Sequence, residues 1–269
     1  MEENIVFERF LFGDGNKINI NDMGFCVDRI IMLPKIRPHE LEKAVRISKE
    51  YCQIADFRRK LIEKSEECPV LIYRLYKQNV FLFEEIEPFL NRRDCFLLCY
   101  YFRKEISDFT NQIGNKLQNH GFDMSFFENE SEIDQMIQYG FIFLSIEYCL
   151  KYDDDEELKG FEILDQEAKW SPFEWSFKPE FLDFISFAAF FGSIKCFRHL
   201  LMKGFEMNDQ VLSMVVCSGC LDLYHLSQRQ EFLVPEIICN ASEFCHLSLL
   251  AFMIENGFNA NEKTKAVRF

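Results

Sequence analysis

Apolar positions recur at helical spacing along most of this chain. From near His39, the residues Leu41, Ala44, Val45, Ser48, Tyr51, Cys52 and Ala55 fall on one stripe, with lysine, arginine and glutamate opposite. That pattern predicts a long amphipathic helix. Pro69 suits the first turn of the next helix, VLIYRLYKQ, where its missing N–H is an orphan in any case. The segments FLFEEIEPFL, CFLLCYYFRKEISDFTNQIGNKLQ and SEIDQMIQY predict further helices. Strand-like alternation is rare after residue 35. Before it, FLFGDGNKINI alternates around Asp14-Gly15 and predicts a β-hairpin, and Pro34 and Pro38 predict a linker behind it. The fold class expected is all-α.

Between Tyr139 and Trp175 the pattern shortens. Gly140-Phe141 and Gly160-Phe161 bound a helix-sized segment and an acidic run, and AKWSPFEWSFKPE follows with two prolines and both tryptophans. Two prolines forbid a continuous helix there, so a boundary is expected in that stretch. The expected organisation is an N-terminal extension with the candidate hairpin (1–35), an α-helical leader or capping region (36–138), an irregular helical and loop connection (139–180), and helix-pair repeats (181–264).

The repeats rest on two landmarks. An inter-helix turn falls at Gly192, Gly219 and Cys245, and an exit phenylalanine at Phe205, Phe232 and Phe258; both series step by 27 and then 26 residues. Interior positions agree: Ile194, Leu221 and Leu247; Cys196, Leu223 and Leu249; Phe197, Tyr224 and Leu250. Each unit reads as a short helix, a tight turn, a second helix and a Gly-Phe exit that fits a left-handed cap. One helix pair cannot bury its own apolar face, so a helical-repeat solenoid is expected.

Ala188-Ala189-x-x-Gly192, the apolar positions around Phe197, Leu200-Leu201, Gly204 and Asn208 resemble the second half of an ankyrin repeat. The region from Phe181 to Asn261, with SPFEW and FAAFFGSIKCF, is similar to an ankyrin-type domain of unknown function expanded in certain protists, and the helices from Pro38 resemble the leader of such proteins. The resemblance implies a stack of helix pairs that binds other proteins. The steps are shorter than the ankyrin period of about 33 and the T-P-L-H opening is absent. Glu231 stands at one exit glycine and Cys245 at one turn glycine. Shorter units imply trimmed or missing β-hairpin fingers.

Composition narrows the partner. The chain has 269 residues, 48% of them hydrophobic, with 31 phenylalanines, a net charge of −14 and a pI of about 4.9. Such acidity repels phosphate backbones, which argues against nucleic acid, and favours a basic partner. The run Asp153 to Glu157 lacks the spacing of a calcium-binding loop and reads as a solvated face. The opening MEENIVFERF is interrupted by charge and is not a secretory signal, and no apolar run reaches membrane-spanning length. Eleven cysteines without an export signal point to reduced thiols in an intracellular, cytoplasmic protein.

Candidate chemistry is sparse. Nucleophile-elbow, P-loop and HExxH patterns are absent, His39, His120, His199, His225 and His246 form no triad, and no cofactor is expected. The function expected is a non-enzymatic protein–protein interaction scaffold for an unidentified partner, contacted through Glu206, Met207, Asn208 and Asp209 in the first exit loop and Asn259 and Asn261 in the third. The alternative is a zinc-stabilised or redox-responsive module of Cys217, Cys220, Cys239 and Cys245, since four thiolates suit tetrahedral zinc. In the repeat register, however, Cys217 and Cys220 simply flank a turn. Phe126-Phe127, Phe173, Trp175 and Phe177 fit no stripe; exposed together, they would form an aromatic interface patch.

Overall fold

The computed structural model describes residues 23–90, 96–106, 129–162, 167–176, 178–179, 182–227, 244 and 246–255. Its regular elements among these residues are helices, and the one β-contact is an isolated antiparallel bridge between Glu167 and Asp183. The expected hairpin at 10–20 lies outside the described residues. The chain divides into two units: Met1–Phe141 with Ser171–Phe177, and Ile142–Trp170 with Lys178–Phe269.

The first unit contains α1 (Met23–Ile36), a 3-10 turn (Pro38–Glu40), α2 (Leu41–Tyr51), α3 (Ala55–Glu63), α4 (Pro69–Lys77), α5 (Phe83–Leu90), α6 (Phe96–Tyr101) and α7 (Glu130–Tyr139). The stretch around Pro34 is therefore helix, not linker. Pro34 sits in the last turn of α1, and Met23, Cys26, Val27, Ile30, Ile31 and Leu33 bury a wide stripe that outweighs the loss of one backbone bond. The stripe from Leu41 is also interrupted: α2 stops at Tyr51, Cys52 caps it through Ser48 O, and α3 starts afresh at Ala55. Pro69 opens α4 as expected.

Packing in this unit skips by two. Helix α1 contacts α2 and α3, α2 contacts α4, α3 contacts α5, and α4 contacts α6, with α5 and α6 closing the set. The α3–α5 contact carries a forked ion pair, Arg58 Nε and Nη2 donating to Glu85 at 2.9 and 2.6 Å. The Ser171–Phe177 segment returns to this unit. Phe173 is fully buried against the rings of Tyr100 and Tyr101, Tyr101 Oη donates to Phe173 O at 3.3 Å, and Trp175 Nε1 donates to Pro38 O at 3.1 Å. Phe173 thus belongs to the core, and half-buried Trp175 is tied by its indole to Pro38; Phe126, Phe127 and Phe177 lie outside the described residues.

The second unit contains α8 (Ile146–Tyr152), α9 (Asp155–Leu158), α10 (Phe184–Phe191), α11 (Ile194–Met202), α12 (Asp209–Ser218), α13 (Leu221–Ser227) and α14 (Leu247–Glu255). Helix α10 is buried over its whole length because FISFAAFF carries no charge and packs against α8, α11 and α12. Helices α9 and α11 contact each other, α12 meets α13, and Phe252 of α14 lies edge-on to Tyr224 and His225 of α13. Trp170 covers α10: its ring meets Phe187 at 4.9 Å and its Nε1 donates to Pro179 O at 3.0 Å. Burying each such ring contributes roughly 2–3 kcal/mol.

Candidate functional site

Helices α8, α10 and α12 share one local design. Each begins on a side-chain cap: Ser145 Oγ accepts from Tyr148 N at 3.1 Å, Asp183 Oδ1 from Ser186 N at 2.8 Å, and Asn208 Oδ1 from Val211 N at 2.9 Å. Each ends on a left-handed residue, Asp153 at φ 58°, Gly192 at 72° and Gly219 at 69°. A second helix then follows: α9, α11 or α13. The design separates two edges, one of capped loops entering the first helices and one of left-handed turns.

The turn edge is held by contacts from one pair to the next. Asp153 Oδ1 accepts from Lys195 N and Cys196 N at 2.8 and 3.0 Å, capping α11 from the preceding pair, while Ser193 Oγ donates to Leu150 O. Gly192 faces Ser218 and Cys220. His246 lies over Gly219, with Nε2 at hydrogen-bond distance, 2.6 Å, from Cys217 O and its ring stacked on Phe244. Burial pushes the Cys149 thiol up to about 11, with Asp154, Glu157 and Glu147 adding to the shift, and raises Cys196 further, helped by Asp153 and Asp155. Such thiols stay protonated and unreactive.

The capped-loop edge carries the expected contact residues. Glu206, Asn208 and Asp209 are exposed and Met207 is half-buried. Asn208 already has a structural task as the cap of α12, and Asp209 lies in its first turn, where a carboxylate suits the helix dipole. Glu206 and Met207 have no such task, and Met202 at the end of α11 is 79% exposed. Asn259 and Asn261 lie outside the described residues.

The cysteines of the alternative are divided in the same way. Cys217 is buried in α12 and Cys220 half-buried before α13, whereas Cys239 and Cys245 lie outside the described residues. Among the described residues no group of three or more His, Cys, Asp or Glu could hold a metal ion. No helix of the described residues is long and apolar enough to cross a membrane.

Sequence reasoning missed an aromatic surface on α8. Phe143 and Tyr152 are 46% and 40% exposed, and the Phe143, Tyr148 and Tyr152 rings run in series, 5.0 and 4.7 Å apart by centroid. Leu144 between the loop and the helix is exposed and left-handed at φ 61°, a conformation that costs a branched side chain about 1–2 kcal/mol. The signal was Ser145 as a cap with Asp153 as a left-handed stop, which Asp tolerates better than most residues. Comparison with protein-family models, curated proteins and solved structures finds no match to this chain.

Proposed function

We propose that this chain is a non-enzymatic protein–protein interaction scaffold built on short ankyrin-like helix pairs. The carrying observation is the turn edge: in three consecutive pairs the first helix ends on a left-handed residue, Asp153, Gly192 or Gly219, and each turn packs on the next pair through a specific polar or close-packed contact. Neighbour-to-neighbour contacts of this kind are what a helical-repeat stack is made of. On this reading α8 and α9 form a pair ahead of the three expected from the sequence, and the unit extends upstream from residue 181 to residue 142.

A stack uses its turn edge for cohesion and leaves the capped loops and the open flanks for partners. Glu206 and Met207 therefore carry partner contact, and the acidic surface selects a basic partner. Buried, protonated thiols such as Cys52, pushed up to about 12 mainly by burial, suit a reducing cytoplasmic setting. The test is affinity co-purification from the cell of origin with wild type and Glu206→Ala/Met207→Ala. Asn208 is left intact because its substitution would uncap α12. A partner retained by wild type and lost by the folded variant supports contact at this loop, and equal retention by both refutes it.

A further inference from the structure

Residues 171–177, assigned to the first unit, are the tip of a loop whose neck lies in the second unit and is closed without them. In that neck Ala168 N donates to Leu182 O at 2.8 Å, Glu167 bridges Asp183, Trp170 Nε1 donates to Pro179 O, and Lys169 N donates to Glu147 Oε1 of α8 at 3.0 Å. Loops with their ends held together in this way often carry recognition. The tip takes its shape from its own bonds: Phe173 N donates to Ser171 Oγ at 3.1 Å, Glu174 N to Ser171 O at 3.2 Å, and Ser176 N to Glu174 Oε1 at 3.0 Å. Residues 171–176 form no helix, so lifting the tip breaks no regular element.

The seat that receives the tip is also built without it. Helix α6, which carries Tyr100 and Tyr101, packs on α4 and α5, and the Tyr101 ring meets Tyr73 of α4 at 5.4 Å. Pro38 lies in the 3-10 turn, which packs on α1 and α2. Onto this seat the tip places one fully buried ring, Phe173, 5.6 and 6.2 Å by centroid from Tyr101 and Tyr100. It adds one backbone acceptor, Phe173 O to Tyr101 Oη, and one indole donor, Trp175 Nε1 to Pro38 O. A buried aromatic anchor, a backbone bond and a second aromatic that is half-buried and hydrogen-bonded are the contacts by which short linear segments are read. A segment tethered at both ends is held by its effective concentration as well as by its contacts.

We propose that the seat formed by Pro38, Tyr100 and Tyr101 recognises an aromatic–acidic–aromatic segment of a partner protein, Phe-Glu-Trp in kind, and that the chain's own tip occupies the seat until such a segment displaces it. This adds to the scaffold function proposed above a second contact surface, in the first unit. The seated tip defines the chemistry of the occupant: a phenylalanine for the buried position, a carboxylate that closes the turn on the N–H two residues on, and an indole that reaches Pro38 O. Because the tip is shaped by its own bonds, a free segment of the same sequence loses little freedom on seating. A net charge of −14 on each chain disfavours a second copy as the source of the segment.

The test uses the full chain and a fluorescein-labelled peptide of residues 169–179, KWSPFEWSFKP, followed by fluorescence anisotropy. Wild type is expected to bind it weakly, because the tethered tip competes. Phe173→Ala/Trp175→Ala in the full chain vacates the seat and should bind the peptide at least about tenfold more tightly. If that variant fails to fold by circular dichroism, Trp175→Ala alone, at a half-buried position, takes its place and must show a tightening of its own. Adding Tyr101→Phe keeps the ring, removes the donor to Phe173 O, and should weaken the peptide by roughly two- to tenfold. The peptide with alanine in place of Phe173 should not bind. Equal affinity of wild type and the tip variant, or of the two peptides, overturns the proposal. A wild-type dimer in sedimentation that the tip variant abolishes also overturns it, by giving the seat to a second copy. These outcomes are independent of the Glu206→Ala/Met207→Ala experiment: loss of a partner there with no peptide binding here retains the scaffold and removes only this seat.

Discussion

Replacing Gly219 by alanine sets two costs against one methyl group. The residue is left-handed at φ 69°, which charges an alanine about 1–2 kcal/mol. The new Cβ would also stand 2.1 Å from His246 Nδ1 and 2.5 Å from Cε1 and Cγ, so the imidazole must leave its place. Its departure forfeits the bond to Cys217 O and the stacking on Phe244, a further 1–2 kcal/mol or about that. The expected total is roughly 3 kcal/mol. Gly204→Ala is the control: φ is 96° but nothing lies within 4 Å of the added Cβ, so only the backbone cost of about 1–2 kcal/mol applies. Stability of the second unit is read by urea titration of Trp170 fluorescence in a Trp175→Phe background, since Trp170 packs on α10. The decisive comparison is Gly219→Ala/His246→Ala. Because Gly219→Ala has already evicted the histidine, the double variant should be little less stable than Gly219→Ala alone, a coupling of about 1–2 kcal/mol. Strict additivity of the two substitutions would refute the eviction.

Three further outcomes are expected. Asp153→Ala removes the acceptor for Lys195 N and Cys196 N and should cost about 1–2 kcal/mol by the same titration, whereas Asp153→Asn keeps an acceptor and tolerates the left-handed turn, and should stay within about 0.5 kcal/mol of wild type. Buried His199 is held below its ordinary value of 6.5, first by desolvation and then by Lys203 and Lys159, with Asp155 opposing. The unfolded chain therefore binds more protons at this site, so the His199 contribution to second-unit stability is flat above about pH 6.5 and falls below it; His199→Leu should flatten that limb, and an unchanged slope would exclude His199 as its source. Glu85 is held below its ordinary 4.5 by hydrogen bonds from Arg58, so its contribution is present above that pH and lost as pH falls through the lower folded value. Glu85→Gln should cost the first unit about 1–2 kcal/mol at neutral pH, read by Trp175 fluorescence in a Trp170→Phe background, and progressively less as pH falls below 4.5.

Local signals in the sequence were read well where local physics decides. Pro69 opens α4, Gly192 and Gly219 end α10 and α12, and the stripe from Leu41 is buried through Ser48. Other features depend on distant partners. Trp175 lies in a proline-broken stretch that reads as a connection, yet its indole is bonded to Pro38 O, 137 residues away, and nothing in SPFEW encodes that address. Pro34 reads as a breaker because its cost is local, while the burial that offsets it comes from α2 and α3 packing on α1. The pair α8–α9 was hidden because its left-handed stop is an aspartate and its second helix is four residues long. Periodicity needs more turns than that to declare itself.

The candidate site was legible only in its outline, and the capped helices explain why. A loop asparagine before a helix is favoured for two unrelated reasons, exposure to a partner and reach to a backbone N–H, and the two look identical in sequence. Asn208 is bonded to Val211 N, so its presence is accounted for by α12. Asp153 is accounted for by α11, and His246 by the Gly219 turn. Removing the residues that folding explains leaves a shorter set on the loop edge, Glu206 and Met207. Neither residue caps a helix or closes a turn, which is the physical ground for proposing partner contact on that loop.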